Sequence, residues 1–384
     1  MVALLRKLYL GVINMRKYFA KILFLMTVLM PSVVNAQIDW PTFEHLFIPE
    51  RHYVIHQTNS EIFVDGIAEE QSWQDAAWTE TFVDIEGSAK PLPTYPTRMK
   101  MLWDEENIYF FVEMEEPHVW GYYEEHDRIV YHENDFEIFI DPDGDTHNYF
   151  EFEFNAQNTL FDLFMTKPYR NGGIPLISWN STGIQSAVSI DGTLNNPTDK
   201  DKKWTLEVAI PFKDLRISVH TRVPKDGDTW RINFSRVQWQ TEITDGKYTR
   251  KKNKETGRLI RENNWVWSPI GIVNMHYPER WGYLRFSEKI PGKRETFTEA
   301  EDKNLRTHLW RIYYKQYHYR HKKGIFAESP DELSEAENIQ IDENINLKIE
   351  IQATDYQFTI IAKSNDGMTL TLNNNGQIRM YKNR

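Results

Sequence analysis

From residue 50 to residue 290 the chain alternates apolar and polar positions with a period of two, broken at short intervals by turn residues. That period marks strands with one buried face, because successive side chains point to opposite sides of a sheet. RMKMLWD (98–104) and NIYFFVEME (107–115), separated by Glu105 and Glu106, predict a hairpin. HNYFEFEFN (147–155), NTLFDLF (158–164), WTLEVAIPF (204–212) and TWRINFSRVQW (229–239) follow at the spacing of an antiparallel sandwich. Asp-Gly or Asn-Gly pairs begin at 65, 171, 191, 226 and 245, so turn chemistry and alternation agree.

Near residue 290 the texture changes. IPGKRETFTEAEDKNLRTHLWRIYYKQYHYRHKKG reads as a linker and then a helix: Thr298 is placed to cap it, with Glu301 three residues on. Leu305, Leu309, Ile312 and Tyr313 share one face, and Gly324 stops the helix. NLKIEIQA, YQFTIIAKS, MTLTLNN and QIRMYK predict a small meander packed on it. His318 and His321 have metal-ligand spacing, but Lys315, Arg320 and Lys322 around them favour a solvated basic face.

MRKYFAKILFLMTVLMPSVVNA, with a basic start, an apolar middle and a small-residue ending, reads as an export signal. Its apolar run from Phe19 to Met30 is interrupted by Lys21 and falls short of the roughly 20 residues a membrane span needs. The expected organisation is a signal over 1–36, a mainly β antiparallel sandwich of the jelly-roll type over 37–290, and a small α+β extension over 291–384. The expected location is the periplasm or the outer surface, after cleavage near Ala36.

Residues 1–36 hold five basic side chains and no acid, so the rest carries 40 basic against 56 acidic residues, a net charge near −16. Such a balance argues against nucleic acid or an anionic membrane surface as a partner. Zero Cys in an exported chain excludes disulfides and thiolate metal sites. Aromatic content of 14% with 13 Trp suits stacking on sugars, although burial is the default use of such rings.

The acids concentrate in YHENDFEIFIDPDGDTHNYFEFEFN (131–155). Alternation sends Phe136, Ile138 and Ile140 to one side and Glu137, Phe139 and Asp141 to the other. In the returning strand Phe150, Phe152 and Phe154 oppose Tyr149, Glu151, Glu153 and Asn155, so a paired hairpin gathers Glu137 and Glu153 on one polar face. Such a face can be the wet side of a sheet, a glycosidase pair, or a platform of acceptors for sugar hydroxyls. Asp141, Asp143 and Asp145 repeat the oxygen spacing of calcium loops. Gly144 at the fourth position and Phe152 at the twelfth exclude an EF-hand and leave a looser structural calcium site; no cofactor is required.

Seven segments in one order resemble the family 9 carbohydrate-binding modules, members of the DOMON-like sandwich group. They are VDGIAEEQSWQDAAW (64–78), MLWDEENIYFFVEMEEP (101–117), NDFEIFID (134–141), YFEFEFN (149–155), WTLEVAIPF (204–212), WRINFSR (230–236), and WSPIG with HYPERWGYLRF (267–286). The resemblance implies binding of sugar chain ends between two aromatic rings, with structural calcium in many members. The family's acidic ligand falls on Glu137 and its Asn on Asn155, whereas its basic residue is Glu153 here. The first sandwiching Trp falls near Tyr131, and the second near Met275 or His276, where Trp267, Trp281 or Trp179 could move in.

Trp103 and Trp204 read as core, while Trp179, Trp239, Trp265 and Trp267 are candidates for exposed stacking. Arg236 and Arg280 could each donate paired hydrogen bonds to sugar oxygens, or form salt bridges to nearby acids. The leading expectation is non-catalytic carbohydrate binding beside glycan-degrading enzymes. The alternatives are a glycoside hydrolase using Glu137 with Glu153 or Glu151, and a haem protein using Met101, Met114, His118 and His132.

Overall fold

In the computed structural model the described residues are 43–218, 222–293, 295–335, 347–364 and 367–382. The expected signal over 1–36 lies outside them. Alternation produces the strands β1 (His52–Gln57), β2 (Val83–Asp84), β3 (Thr97–Trp103), β4 (Asn107–Glu115), β5 (Asp135–Asp141), β6 (Tyr149–Asn155) and β7 (Leu160–Met165). β8 (Pro175–Leu176), β9 (Gln185–Asp191), β10 (Lys203–Pro211) and β11 (Thr229–Gln238) follow, then β12 (Thr241–Thr244), β13 (Lys247–Arg250), β14 (Asn263–Val266) and β15 (Gly282–Ser287). All but β12 and β13 join one 13-stranded sheet, in the order β8-β7-β6-β5-β11-β15-β1-β3-β4-β10-β9, with β14 and β2 attached beside β11.

The sheet curls into two facing layers around a single core. Phe136, Ile138, Ile140, Phe150, Phe152 and Phe154 from one layer share that core with Met99, Met101, Phe110, Val112, Leu206 and Val208 from the other. The mainly β sandwich is as expected, and Trp103 and Trp204 are in the core. Met101 and Met114 are fully buried there too, so the two methionines of the haem alternative serve packing.

Two features differ from the alternation-based reading. β1 runs parallel to both β15 and β3, which makes the sheet mixed. Strand direction leaves no trace in a side-chain period of two, so alternation cannot report it. Within the basic segment after Trp239, β12 and β13 form a hairpin across Asp245 (φ 51) and Gly246 (φ 73), the positive-φ pair of a type I′ turn.

A short helix, α1 (Gln71–Asp75), lies ahead of β2, and Glu207 on β10 pins it. The buried Glu207 carboxylate accepts from Asp65 N (3.0 Å), Gly66 N (2.9 Å) and Trp73 Nε1 (2.8 Å). The C-terminal helix α2 (Lys303–Lys323) buries Leu305, Leu309, Ile312 and Tyr313, and ends at Gly324 (φ 82), whose N–H bonds Arg320 O at 2.8 Å. Its N-cap is Asp302 instead of Thr298. His318 and Lys315 are buried, so the solvated basic face is confined to the last turn, where His321 and Lys322 are exposed.

After α3 (Pro330–Glu335) come β16 (Leu347–Ala353), β17 (Phe358–Ser364), β18 (Met368–Asn373) and β19 (Ile378–Lys382), a four-stranded antiparallel meander. It packs on α2 through Phe358, whose ring lies 5.8 Å from Tyr313 and 4.7 Å from Phe326. No described helix is long and apolar enough to cross a membrane.

At one end of the sandwich Arg236 meets Glu116 at 3.1 Å with both side chains sealed from water. Gln238, Thr97 and the Glu115 carbonyl take the remaining guanidinium donors. A buried charge with its partner removed costs about 3–5 kcal/mol. Arg236→Ala is therefore expected to lower the unfolding free energy by that amount, read as a lower urea midpoint at unchanged slope; a wild-type midpoint would show that Glu116 does not need this partner.

Candidate functional site

Paired register decides which side chains share the outer face of β5, β6 and β11, because directly opposed residues point the same way. Glu137 lies opposite Glu153 on one side and Ser235 on the other, and Asp135 lies opposite Asn155 and Val237. Phe139 is flanked by Glu151 and Asn233. The acids thus form one connected surface, as alternation predicts. Asp135, two residues before Glu137, belongs to it as well.

This surface is sheltered: Asp135 is 0%, Glu153 2%, Glu151 5% and Glu137 6% exposed. None of Asp135, Glu137 and Glu153 has an ion-pair partner among the described residues. Burial first, then mutual repulsion, pushes Glu151 up to about 8 and holds Asp135 and Glu153 well above the usual carboxylate range. Glu137 is pushed up to about 7 by burial, against the opposing pull of Ser235 and with a smaller push from Glu262.

The rings beside the acids are tyrosines. Tyr131 sits in a 3-10 turn (Val130–His132) and is 40% exposed; burial and then the charges of Glu153 and Glu137 raise its phenol. Tyr169, half-buried at the start of another 3-10 turn (Tyr169–Asn171), has its phenol raised by burial, then by Glu151 and Glu153. Chain closure behind Tyr169 requires Gly173, since a Cβ there would stand 1.7 Å from Lys167 O. His276 packs edge-on to Tyr169 at 4.4 Å and bonds the Tyr149 hydroxyl at 2.8 Å. Burial and then Arg170 lower the His276 ring to about 3, so its 3.8 Å approach to Glu151 joins a neutral imidazole to the acid.

Helix α2 braces this side of the face. Arg170 bonds Glu279 at 2.9 Å and His276 O at 3.1 Å, Glu279 accepts from the Tyr314 hydroxyl, and Asn171 donates to the Tyr313 hydroxyl at 2.8 Å. A cleft of about 790 Å³ adjoins the Tyr131 side, lined by Trp120, Asn134, Gln238, Trp239, Glu262 and Trp265 among others. Glu262 belongs both to its wall and to the field acting on Glu137.

Several residues expected at the site are occupied elsewhere. Arg236 serves the Glu116 pair, and Arg280 is buried against Glu50 (2.8 Å) and Ile48 O (2.7 Å). Asn155 spends its amide on Tyr123 O and Glu133, and its carbonyl on the N–H groups of Gln157 and Thr159. Trp267 and Trp281 are fully buried, Trp281 bonding Met275 O at 2.7 Å. Trp239 and Trp265 keep little exposure, on the wall of the cleft beside Tyr131, and the half-buried Trp179 packs on Phe150 at 5.0 Å. No described tryptophan is exposed beside the acids themselves. Trp239 has a supporting role instead, its Nε1 holding Tyr131 O at 2.9 Å.

Three acidic or histidine-containing groups have ligand atoms close enough for a metal: Asp135, Glu137 and Glu153; Asp141, Asp143 and Asp145; and His126, Asp127 and Asp162. In the second group Asp141 accepts from Gly144 N (3.0 Å) and Thr146 N (2.8 Å), and Asp145 accepts from His147 N and Gln377. Those oxygens already hold the turn and dock it to the C-terminal meander.

Fold and face together define a mainly β sandwich of the binding-domain type, with a sheltered carboxylate surface and a C-terminal helical brace. The chain belongs to the carbohydrate family 9 binding domain-like family, matched over residues 64–288. Among solved structures it is similar to a protein from Bacteroides uniformis ATCC 8492 whose name proposes carbohydrate binding (17% identity, 62% of this chain, 100% of that chain, TM-score 0.45). It is also similar to a family 9 carbohydrate-binding module from Caldicellulosiruptor kristjanssonii, solved with cellotriose (11% identity, TM-score 0.36) and with glucose (12% identity, TM-score 0.36). Each of those two matches covers 64% of this chain and 100% of the other. No curated protein matches the chain.

The raised carboxyls couple stability to pH. Free acids titrate near about 4, so between there and the raised folded values the native protein holds protons that the unfolded chain releases. That stabilisation is complete below the unfolded values and is lost as pH rises through about 7 to 8 for Glu137 and Glu151. His276, lowered to about 3, and His147, lowered to about 4, act in the opposite sense only below the free histidine value. In chelator, Tm is expected to fall from about pH 6.5 to about pH 8.5, and Glu153→Gln to flatten that fall. A wild-type Tm that rises over this interval would contradict the assignment.

Proposed function

We propose that the protein binds carbohydrate without cleaving it, on the outer face of β5, β6 and β11. The observation that carries this reading is the connected set of carboxylates, with unspent oxygens, beside Tyr131 and Tyr169. Sugar hydroxyls donate to carboxylates, and a tyrosine ring offers a flat surface to the apolar side of a pyranose. Family membership supports the same class of ligand. Four acids in one surface favour neutral chains over uronic-acid or sulfated ones. Export to the periplasm or outer surface, in company with glycan-degrading enzymes, belongs to the same proposal; its support is the basic, apolar and small-residue order of residues 15–36.

A glycosidase is the second reading, favoured by Glu137 and Glu153, whose oxygens come within 4.8 Å. Retaining enzymes separate their carboxyls by about 5–5.5 Å. Yet the two residues are cross-strand neighbours, so both approach a ligand from the same side, whereas catalysis needs groups that flank the scissile bond. Reducing-sugar release from mixed plant and host glycans is expected to equal that of a Glu137→Gln control. Release above the control would establish hydrolysis.

A glycan array probed with the purified protein is expected to return neutral glycans and no sulfated or uronic-acid chains. Glu137→Ala should weaken the best hit at least tenfold, about 1.4 kcal/mol, with Tm close to wild type. Unchanged affinity would remove Glu137 from the site.

A further inference from the structure

We propose that Asp135, Glu137 and Glu153 hold a hard divalent cation of the calcium class, whose remaining coordination positions take hydroxyls of the bound sugar. The cation assignment stands on the structure alone; the sugar contact rests on the carbohydrate-binding reading.

Geometry comes first. One carboxylate oxygen from each of the three residues lies within 4.8 Å of the other two. A cation with oxygen bonds of about 2.3–2.6 Å bridges oxygens up to about 5 Å apart. All three side chains rise from neighbouring positions on paired strands, so the separation is fixed by the sheet.

Hydrogen bonding separates this group from the Asp141 turn. Both carboxylate oxygens of Asp135, and Oε2 of Glu153, have no hydrogen-bond partner, although the residues are almost completely buried. Ser235 Oγ, fully buried on β11, faces Glu137 and has no partner outside the cluster. In the Asp141 turn, by contrast, the Asp141 oxygens are engaged by backbone N–H groups. A buried carboxylate without partners is expensive, and several in contact are more so. One divalent ion supplies the missing partner to all of them.

Ligand chemistry narrows the ion. The donors are all oxygen, which suits calcium or magnesium and not the softer metals that seek nitrogen or sulfur. Calcium takes six to eight oxygens, more than this set readily provides, so positions remain for water or for paired sugar hydroxyls. Glu137 is the least sealed of the three, and the exposed Tyr131 ring lies close enough to feel its charge and that of Glu153.

The test is calorimetric titration of calcium chloride into chelator-stripped purified protein. One calcium per chain is expected at this site, weakened at least tenfold by Asp135→Asn and by Glu153→Gln, and unchanged by Asp143→Asn. Each of the first two variants removes one of several like charges at similar shape, so its Tm in chelator should not fall, which separates lost binding from lost folding. No calcium uptake, or uptake abolished by Asp143→Asn and retained in the other two, overturns the assignment. The best glycan hit is then probed in calcium and in chelator. Binding that disappears in chelator and returns with calcium supports the sugar contact; equal binding in both, with calcium bound, overturns it. A blank array beside intact calcium binding would overturn the carbohydrate reading and leave the cation in place.

Discussion

The structure turns on one constraint: β5, β6 and β11 cannot shift register. Their inner positions, Phe136, Ile138, Ile140, Phe150, Phe152, Phe154 and Phe234, fill the core without exposure. A slip of one residue would exchange every inner side chain for an outer one and drive Asp135, Glu137, Glu151 and Glu153 into that core. The apolar side therefore locks the acids against each other on the polar side, where like charges facing across strands repel. Burial energy over many residues outweighs the repulsion among four, so the cluster persists as a stored electrostatic imbalance.

Around that fixed surface the rest of the molecule acts as support for two rings. Trp239, sealed within its own small cluster, holds the Tyr131 carbonyl, and Asn134 accepts from Trp239 N at 2.8 Å to close the connection with β5. On the other side the chain from Arg170 through Glu279 to Tyr314 ties the Tyr169 turn to helix α2. The C-terminal extension is thereby coupled to the face: it covers the sandwich and stiffens the segment that presents Tyr169 and His276. A side chain that is packed and hydrogen-bonded can position others, as Trp239 does for Tyr131.

Much of this was legible in the residue order, and the failures have physical causes. Alternation in NDFEIFID and YFEFEFN separates acids from phenylalanines, and extending it one step back from Phe136 would have added Asp135. The same alternation in WRINFSR sets Arg236 on the side of Ile232 and Phe234, which argues for an interior arginine. Its partner Glu116 lies 120 positions away, and no local pattern reveals such a pair. Tryptophan number says nothing about side, because an indole that stacks on sugar and one that fills a core leave the same trace in sequence. Tyr169 was missed because it stands in a turn with no periodicity, recruited by contacts with His276 and the neighbouring acids.

Glu153 concentrates the chemical question. The family resemblance sets a basic residue at this position, which would neutralise Glu137 internally; an acid there leaves the face without a counter-charge of its own. Three buried arginines are committed elsewhere: Arg236 to Glu116, Arg170 to Glu279, Arg280 to Glu50. Neutralisation must then come from outside the chain, as protons or as a bound ion, and either choice changes what the face can recognise. Protonated carboxyls become donors to sugar oxygens, whereas a divalent ion would bridge the same carboxylates and offer coordination positions to hydroxyl oxygens. A charge reversal at one strand position thus exchanges a self-contained binding face for one whose chemistry depends on what it captures first.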